Sequence, residues 1–66
     1  MQLTINGEPR DVPEGATLTV FLESRNLRPQ MVVVERNGEI VQREQYARTT
    51  LEPGDVLEIV QMMAGG

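Results

Sequence analysis

The first six residues of the chain alternate between apolar and polar side chains. Because successive side chains of a β-strand point to opposite faces of a sheet, the alternation predicts a strand over residues 1–6 with one buried face. The apolar positions on that face are Met1, Leu3 and Ile5. Asn6-Gly7 is a signal for a type I′ hairpin turn, so a second strand is expected over residues 10–13, with Val12 facing inward. The nearby prolines lack the N–H of a sheet ladder and confine that strand to an edge.

The apolar spacing then changes to the period of a helix. Three apolar residues share one helical face at positions i, i+3 and i+4, namely Leu18, Phe21 and Leu22. Thr17 is placed to cap the N-terminus, and the helix is expected to run to about Asn26. Asn26 can close the helix in a left-handed conformation, and Pro29 prevents its continuation.

The second half of the chain predicts three more strands. An apolar, β-branched segment over residues 31–36 is typical of a buried strand, and a second Asn-Gly turn leads into a strand over residues 39–42. Residues 43–50 show no clean period and are expected to form a short helical turn or loop anchored by Tyr46. A Pro-Gly-Asp turn precedes the last strand, over residues 56–61.

The last strand has a buried and an open face. Glu58 must face water, so parity places Leu57 and Ile59 in the core and Val56 and Val60 on the open face. The order hairpin, helix, strand pair, connector and strand suits a mixed sheet of about five strands around one helix. The rules of connection return the last strand to the middle of the sheet, parallel to the first. This is an α+β fold of the β-grasp type, which we expect to span residues 1–61, with a flexible tail over residues 62–66.

Composition excludes several classes of function. The chain has no cysteine and no histidine, which removes disulfides and the usual zinc and haem ligands. Ten acidic residues against six arginines, with no lysine, give a net charge of −4. That balance disfavours nucleic acids and anionic membranes as partners and favours a protein with a basic face. Without a signal peptide or an apolar run of membrane-spanning length, a soluble cytoplasmic protein is expected.

The sequence ends in Gly65-Gly66. Glycine has no Cβ, so such an end can thread a narrow channel and leave a terminal carboxylate accessible to a partner enzyme. The alternative is that small residues simply collect at frayed termini, or that the glycines derive from cloning.

No catalytic set is visible. An enzyme needs a nucleophile with a base, or a pair of tuned acids, and the hydroxyls and carboxylates here are scattered. Asp55 and Glu58 should lie on opposite faces of a strand, and we interpret both as solvated charges. Glu35 and Arg36 are interpreted in the same way, as surface charges beside a hairpin.

Apolar residues near the end of the chain favour contact with a partner. Val60 and Met62 share the open face by parity, and Met63 follows them. Methionine is adaptable at binding surfaces, so a partner is expected to cover these side chains. The alternative is local packing of one methionine on the sheet edge.

Three segments carry a resemblance to a known family. They are the ending Gly-Asp-Val-Leu-Glu-Ile-Val-Gln over residues 54–61 followed by Ala64-Gly65-Gly66, the connector Val-Gln-Arg-Glu-Gln-Tyr over residues 41–46, and the opening Ile-Asn-Gly-Glu over residues 5–8. Together they resemble the ubiquitin-like sulfur carriers of the ThiS/MoaD family, and within it the thiamine-pathway ThiS branch. The resemblance covers the whole length.

The resemblance implies a function for the tail. A ThiF-like adenylyltransferase would use MgATP to adenylate the carboxylate of Gly66, and a sulfur donor would convert it to a thiocarboxylate. Thiazole synthase would then take the sulfur for thiamine biosynthesis. Gly65 and Ala64 would thread into the partner's site. The chain itself would bind no cofactor or metal and would be a protein substrate, not an enzyme.

Some residues depart from the family pattern. Relatives often have proline at the position of Gln42 and tryptophan at that of Tyr46, and many have a smaller or branched residue in place of Met63. Two alternatives stay open at this point. One is a MoaD-type carrier for molybdopterin synthesis, which has the same fold and diglycine but usually a longer chain. The other is a ubiquitin-like interaction module whose tail is never activated.

Overall fold

The computed structural model describes residues 1–62 of the chain. Within that range it contains one α-helix, α1 (Leu18–Ser24), and a sheet of five strands. The strands are β1 (Gln2–Ile5), β2 (Glu8–Asp11), β3 (Val32–Arg36), β4 (Glu39–Ile40) and β5 (Val56–Gln61). Two short 3₁₀ segments, Pro29–Met31 and Arg43–Arg48, lie before β3 and after β4.

The sheet is mixed, with the strand order β2-β1-β5-β3-β4. β5 pairs parallel to β1 on one side and antiparallel to β3 on the other, whereas the two hairpins pair antiparallel. The last strand therefore lies in the middle of the sheet beside the first, and β2 lies at an edge, as predicted. This arrangement around α1 confirms the β-grasp prediction.

The turns explain where the hairpin strands begin. Asn6 and Gly7 both have positive φ, 51° and 83°, as a type I′ turn requires. A turn of two residues places Glu8 directly opposite Ile5, so β2 begins at Glu8 and not at residue 10 as predicted. Val12 follows the strand, but it is buried and its N–H donates to the carbonyl of Met1 at 2.8 Å.

The helix ends are set by Thr17 and Asn26. The Thr17 hydroxyl accepts a hydrogen bond from the N–H of Val20 at 3.2 Å, which confirms the predicted N-cap. The helix ends at Ser24, two residues before the predicted end. Asn26 then turns left-handed, with φ of 59°, and the N–H of Leu27 donates back to the carbonyl of Leu22 at 2.9 Å.

The segment around β3 and β4 differs from prediction at its ends. Pro29–Met31 forms a 3₁₀ turn, so β3 starts one residue later than expected. β4 has two residues instead of four, because the chain leaves the sheet to form the 3₁₀ segment Arg43–Arg48. That segment is anchored as predicted: Tyr46 is buried, and its hydroxyl donates to the carbonyl of Val32 at 3.2 Å.

One face of the sheet forms the core. Four buried side chains come from the sheet, namely Leu3, Val32, Val34 and Leu57, and three come from the helix, namely Leu18, Phe21 and Leu22. Tyr46 and Leu51 close the core from the connecting segments. Because helix and connector cover only this face, the other face of the sheet stays open.

Candidate functional site

The functional geometry centres on β5, the strand that leads to the end of the sequence. Its residues pair with β3 as far as Gln61, which lies opposite Val32. The N–H of Met62 then donates to the carbonyl of Met31 at 2.7 Å. The folded domain therefore holds the chain up to Met62, and four residues follow in the sequence.

The other side of β5 is held by a side chain. β1 ends at Ile5, so its backbone cannot continue the ladder beside the second half of β5. The amide of Asn6 takes over this function: its Oδ1 accepts from the N–H of Ile59 at 2.7 Å, and its Nδ2 donates to the carbonyl of Ile59 at 3.2 Å. Asn6 thus serves both as a turn residue with positive φ and as a brace for β5.

We expect Asn6→Gly to loosen the second half of β5 without disturbing the turn. Glycine tolerates the positive φ of this position but removes both amide hydrogen bonds, at a cost of about 1 kcal/mol in the free energy of unfolding. Hydrogen exchange at the Ile59 amide should become faster, whereas the Thr4 amide, bonded to the Asp55 carbonyl, serves as an internal control. Unchanged protection at Ile59 would contradict the bracing role.

The open face of the sheet carries most of the exposed apolar side chains. Of the six large apolar side chains that are exposed within residues 1–62, five lie on this face: Val33, Ile40, Val56, Val60 and Met62. Val33 and Val60 are directly opposite one another on β3 and β5. We call the surface formed by these five residues, together with Glu35 and Glu58 of the same two strands, the open face.

The predicted partner-binding residues fall on this surface in part. Val60 is 62% exposed and Met62 is 40% exposed, so both are accessible as expected. The parity prediction for β5 is confirmed, with Leu57 buried and Val56 exposed. The other predicted site residues, Met63, Ala64, Gly65 and Gly66, lie outside the described residues.

Asp55 corrects a prediction. It was expected to be a solvated charge, but its side chain is 8% exposed and lies at the start of β5. Its Oδ2 accepts from Nε of Arg36 and from the N–H of Glu52, each at 2.9 Å, and its Oδ1 accepts from Nδ2 of Asn37 at 3.1 Å. Arg36 is corrected with it, because its guanidinium is committed to this carboxylate.

The charge state of Asp55 follows from these partners. Burial alone raises the pKa of the Asp55 carboxyl. The hydrogen bonds from Glu52 and Asn37 and the charge and hydrogen bond of Arg36 outweigh burial, and the pKa lies below its ordinary value of 3.8. The carboxylate is therefore ionised at neutral pH and works as a structural clasp between the β3–β4 turn and the start of β5.

A signal for this clasp exists in the sequence. Asp55 follows a Pro-Gly turn, and Arg36-Asn37 opens an Asn-Gly turn, so both groups lie at the same end of neighbouring strands. The strand pairing that brings them together is not visible before the register is known. With β3 antiparallel to β5, Arg36 lies opposite Leu57 and its side chain reaches back to Asp55.

Neither a cluster of metal-ligating side chains nor a membrane-spanning helix is found in the described part of the chain. Within residues 1–62, no group of three acidic side chains is close enough together to hold a metal ion. In the same range there is no helix with the length and apolar character needed to cross a bilayer.

A β-grasp domain whose central strand is followed in the sequence, three residues later, by a diglycine is typical of the class of ubiquitin-like carrier domains. The comparison with known proteins gives the family: the model of the ThiS family matches residues 3–66. The chain therefore belongs to the ThiS family.

Individual relatives agree with this assignment. The chain is 39% identical to the sulfur carrier protein ThiS of Bacillus subtilis (strain 168), over 97% of this chain and 98% of that one. The crystal structure of a thiamine biosynthesis protein (ThiS) from Geobacter metallireducens superposes with a TM-score of 0.84, at 38% identity and over the full length of both chains. A thiazole synthase of Paramagnetospirillum magneticum (strain ATCC 700264 / AMB-1) is 41% identical over the whole of this chain, which spans only 20% of that protein.

Proposed function

We propose that the chain is a sulfur carrier of thiamine biosynthesis, and that the carboxylate of Gly66 is the group that carries the sulfur. The observation that carries the proposal is the match to the ThiS family over residues 3–66, because it includes both final glycines. The structure around β5 supports it, since the last backbone hydrogen bond of this strand is that of Met62, which is itself exposed, and four residues follow it in the sequence. Four further residues can span at most about 14 Å.

The chemistry requires activation, because a carboxylate is a poor acyl donor. Attack of the Gly66 carboxylate on the α-phosphate of MgATP would form an acyl-adenylate and release pyrophosphate. The terminal sulfur of a persulfide would then attack the acyl carbon and expel AMP, leaving an acyl disulfide. A second thiol would reduce the disulfide and release the thiocarboxylate.

The catalytic groups for these steps belong to the partner. Phosphoryl and nucleotidyl chemistry depends on positioning and on the electrostatics of Mg²⁺ at a nucleotide site, which a ThiF-like adenylyltransferase would supply. The chain provides the reacting carboxylate and a docking surface, acts as a substrate and not as an enzyme, and binds no cofactor of its own. We place this reaction in the cytoplasm.

Thiazole synthase is the proposed acceptor of the sulfur. A segment similar to this chain occurs within a much longer protein named thiazole synthase. Fusion of a carrier-like segment to such an enzyme supports a direct encounter between the two activities. Ala64 and Gly65 would enter the active sites of both partners, because residues with little or no side chain need the least room.

Intact mass measurement tests the proposal. The protein is incubated with its cognate adenylyltransferase, MgATP, a persulfide donor and a thiol. We expect a mass gain equal to the exchange of one oxygen for one sulfur, located by fragmentation at Gly66. A reaction without ATP is the control. If neither adenylation nor sulfur exchange occurs in the complete mixture, a ubiquitin-like interaction module is favoured. If the thiocarboxylated protein, once formed, donates its sulfur to molybdopterin synthase and not to thiazole synthase, the MoaD-type alternative is favoured.

A further inference from the structure

A groove lies between α1 and the edge strand β2, on the side of the sheet that the helix covers. It consists of two pockets, of about 340 Å³ and about 300 Å³, that meet at Phe21. The smaller pocket has an apolar lining that includes Val12, Ala16 and Val20. The larger pocket is bordered by charged side chains, namely Glu8, Arg10 and Arg25. Pockets of this size are at the lower limit of those that enclose a small ligand, so each suits a single side chain.

The apolar half of the groove is marked by Val20 of α1. This side chain is 55% exposed, and it is the one large exposed apolar side chain within residues 1–62 that does not belong to the open face. Val12, Ala16 and Phe21 are buried beside it. Another apolar side chain placed against Val20 would remove apolar surface from water on both partners. This half of the groove therefore suits an apolar side chain.

The charged half of the groove is positive, although the whole chain has a net charge of −4. Two arginines border it against one glutamate, and Arg10 is paired with Glu8 at 2.8 Å. Arg25 takes part in none of the ion pairs formed within residues 1–62. Its guanidinium lies over the ring of Phe21, 5.3 Å from the centroid, where the two pockets meet. This half therefore suits a carboxylate, which a guanidinium binds through charge-assisted hydrogen bonds.

The outer edge of β2 adds backbone groups to the groove. The N–H and the carbonyl of Val12 bond to Met1 at 2.8 Å and 2.7 Å. Because backbone groups alternate in direction along a strand, those of Asp11 and the carbonyl of Pro9 point away from β1. Pro9 has no N–H, so the edge offers one donor and two acceptors. An extended segment can pair with such an edge, and every second side chain of that segment then faces α1.

We propose that the groove between α1 and β2 binds an extended segment of a partner protein in which an apolar residue and an acidic residue are two positions apart. The spacing follows from β2, where Arg10 and Val12 are two positions apart and both face α1. The apolar side chain would lie against Val20, and the carboxylate would bind Arg25. Binding here goes beyond the proposed sulfur transfer and does not depend on it.

Titration of a synthetic peptide into isotope-labelled protein, followed by NMR, tests the groove. The peptide is acetyl-Ser-Thr-Ile-Thr-Glu-Thr-Ser-amide. We expect saturable shifts of the amide signals of Asp11, Val20 and Phe21, while the signal of Val33 on the open face stays in place. Peptide at up to about 5 mM covers binding as weak as a Kd of about 1 mM.

A control peptide of the same composition separates the spacing from the chemistry. In acetyl-Ser-Thr-Ile-Glu-Thr-Thr-Ser-amide the two key residues are adjacent, so an extended chain points them to opposite faces. It can place only one of them in the groove, and its binding should be about tenfold weaker.

Substitutions in the protein locate the two contacts. Arg25→Gln removes the charge from an exposed side chain, and we expect binding of the first peptide to weaken about tenfold. Val20→Thr keeps the shape of an exposed side chain and replaces a methyl group with a hydroxyl, which should weaken binding about threefold. Arg48→Gln removes an exposed charge that borders neither pocket, and it should change Kd by less than about twofold.

Several outcomes would contradict the docking site. They are equal binding of the two peptides, unshifted signals of Asp11, Val20 and Phe21, and a loss with Arg48→Gln as large as that with Arg25→Gln. Sodium acetate that reproduces the shifts would reduce the groove to an adventitious anion site. Shifts of the same signals with protein concentration alone would show that a second copy of the chain covers it. Since the titrations contain no ATP or sulfur donor, failure of sulfur transfer at Gly66 leaves their result unaffected.

Discussion

A single alanine added after Gly66 is expected to abolish formation of the thiocarboxylate. The added residue converts the carboxylate of Gly66 into a peptide carbonyl, which carries no anionic oxygen to attack the phosphate of ATP. The new carboxylate would be displaced by one residue, about 3.5 Å, and a misplacement of even 1 Å can cost about 100-fold in rate. Intact mass after incubation with the adenylyltransferase, MgATP and a sulfur donor measures the result.

Binding is the control for this loss. The extended protein keeps all of residues 1–62, so it should still occupy the adenylyltransferase and compete with the unextended carrier. A version whose extension is removable by a protease after Gly66 should regain modification once it is cut. Sulfur found on the extended chain, with the extra residue still present in the same mass, would contradict the assignment of the Gly66 carboxylate.

The fold could be predicted because its elements are encoded by local patterns. The period of two over residues 1–6, the helical spacing of Leu18, Phe21 and Leu22, and the two Asn-Gly turns each fix an element from a few neighbouring residues. Parity then assigned the two faces of β5 correctly, because a strand offers only two choices. The predicted ends of the elements were less accurate, because turn geometry and pairing partners decide them. For example, β2 begins at Glu8 and not at residue 10.

The features that escaped prediction depend on contacts between distant residues. Asp55 and Arg36 are 19 positions apart, and Asn6 braces Ile59 across 53 positions. The side chains that make these contacts, those of Asp55, Arg36 and Asn6, are polar, so no periodic apolar pattern marks them as buried or bonded. The opposition of Glu35 and Glu58 is of the same kind, because it exists only in the register of β3 and β5. Local sequence therefore predicts the elements, and the register decides which polar groups work together.

Several contacts between distant residues hold β5 or the residues next to it in place. The Asp55 clasp fixes its first residues, the Asn6 amide fixes Ile59, and the Met31 carbonyl holds the N–H of Met62. A strand held at its start, middle and end cannot slide in register. These contacts therefore fix the register of β5 as far as Met62, the last residue that the structure describes.

Replacing Asp55 with alanine is expected to produce the largest loss of stability among substitutions of charged residues in residues 1–62. It leaves the Nε of Arg36, the Nδ2 of Asn37 and the N–H of Glu52 without their acceptor. The loss of hydrogen bonds to a charged, buried acceptor should lower the free energy of unfolding by about 2–3 kcal/mol. For a domain of this size that is a fall of roughly 10–20 °C in melting temperature. Asp11→Asn is the control, because its side chain is 93% exposed and should matter little.

The pH dependence of stability distinguishes the charge of Asp55 from its shape. Because the pKa of Asp55 in the folded protein is lower than in the unfolded chain, its stabilising contribution is fully present above the unfolded value and is lost as the pH falls through the folded value. Chemical denaturation of the unsubstituted protein and of Asp55→Asn should therefore give the largest difference at pH 7. The difference should begin to shrink below about pH 4, where the carboxyl group in the unfolded chain becomes protonated, and should go on shrinking at lower pH as the native carboxylate takes up its proton. A difference that stays constant down to pH 2 would show that packing, and not the ionised carboxylate, holds the start of β5.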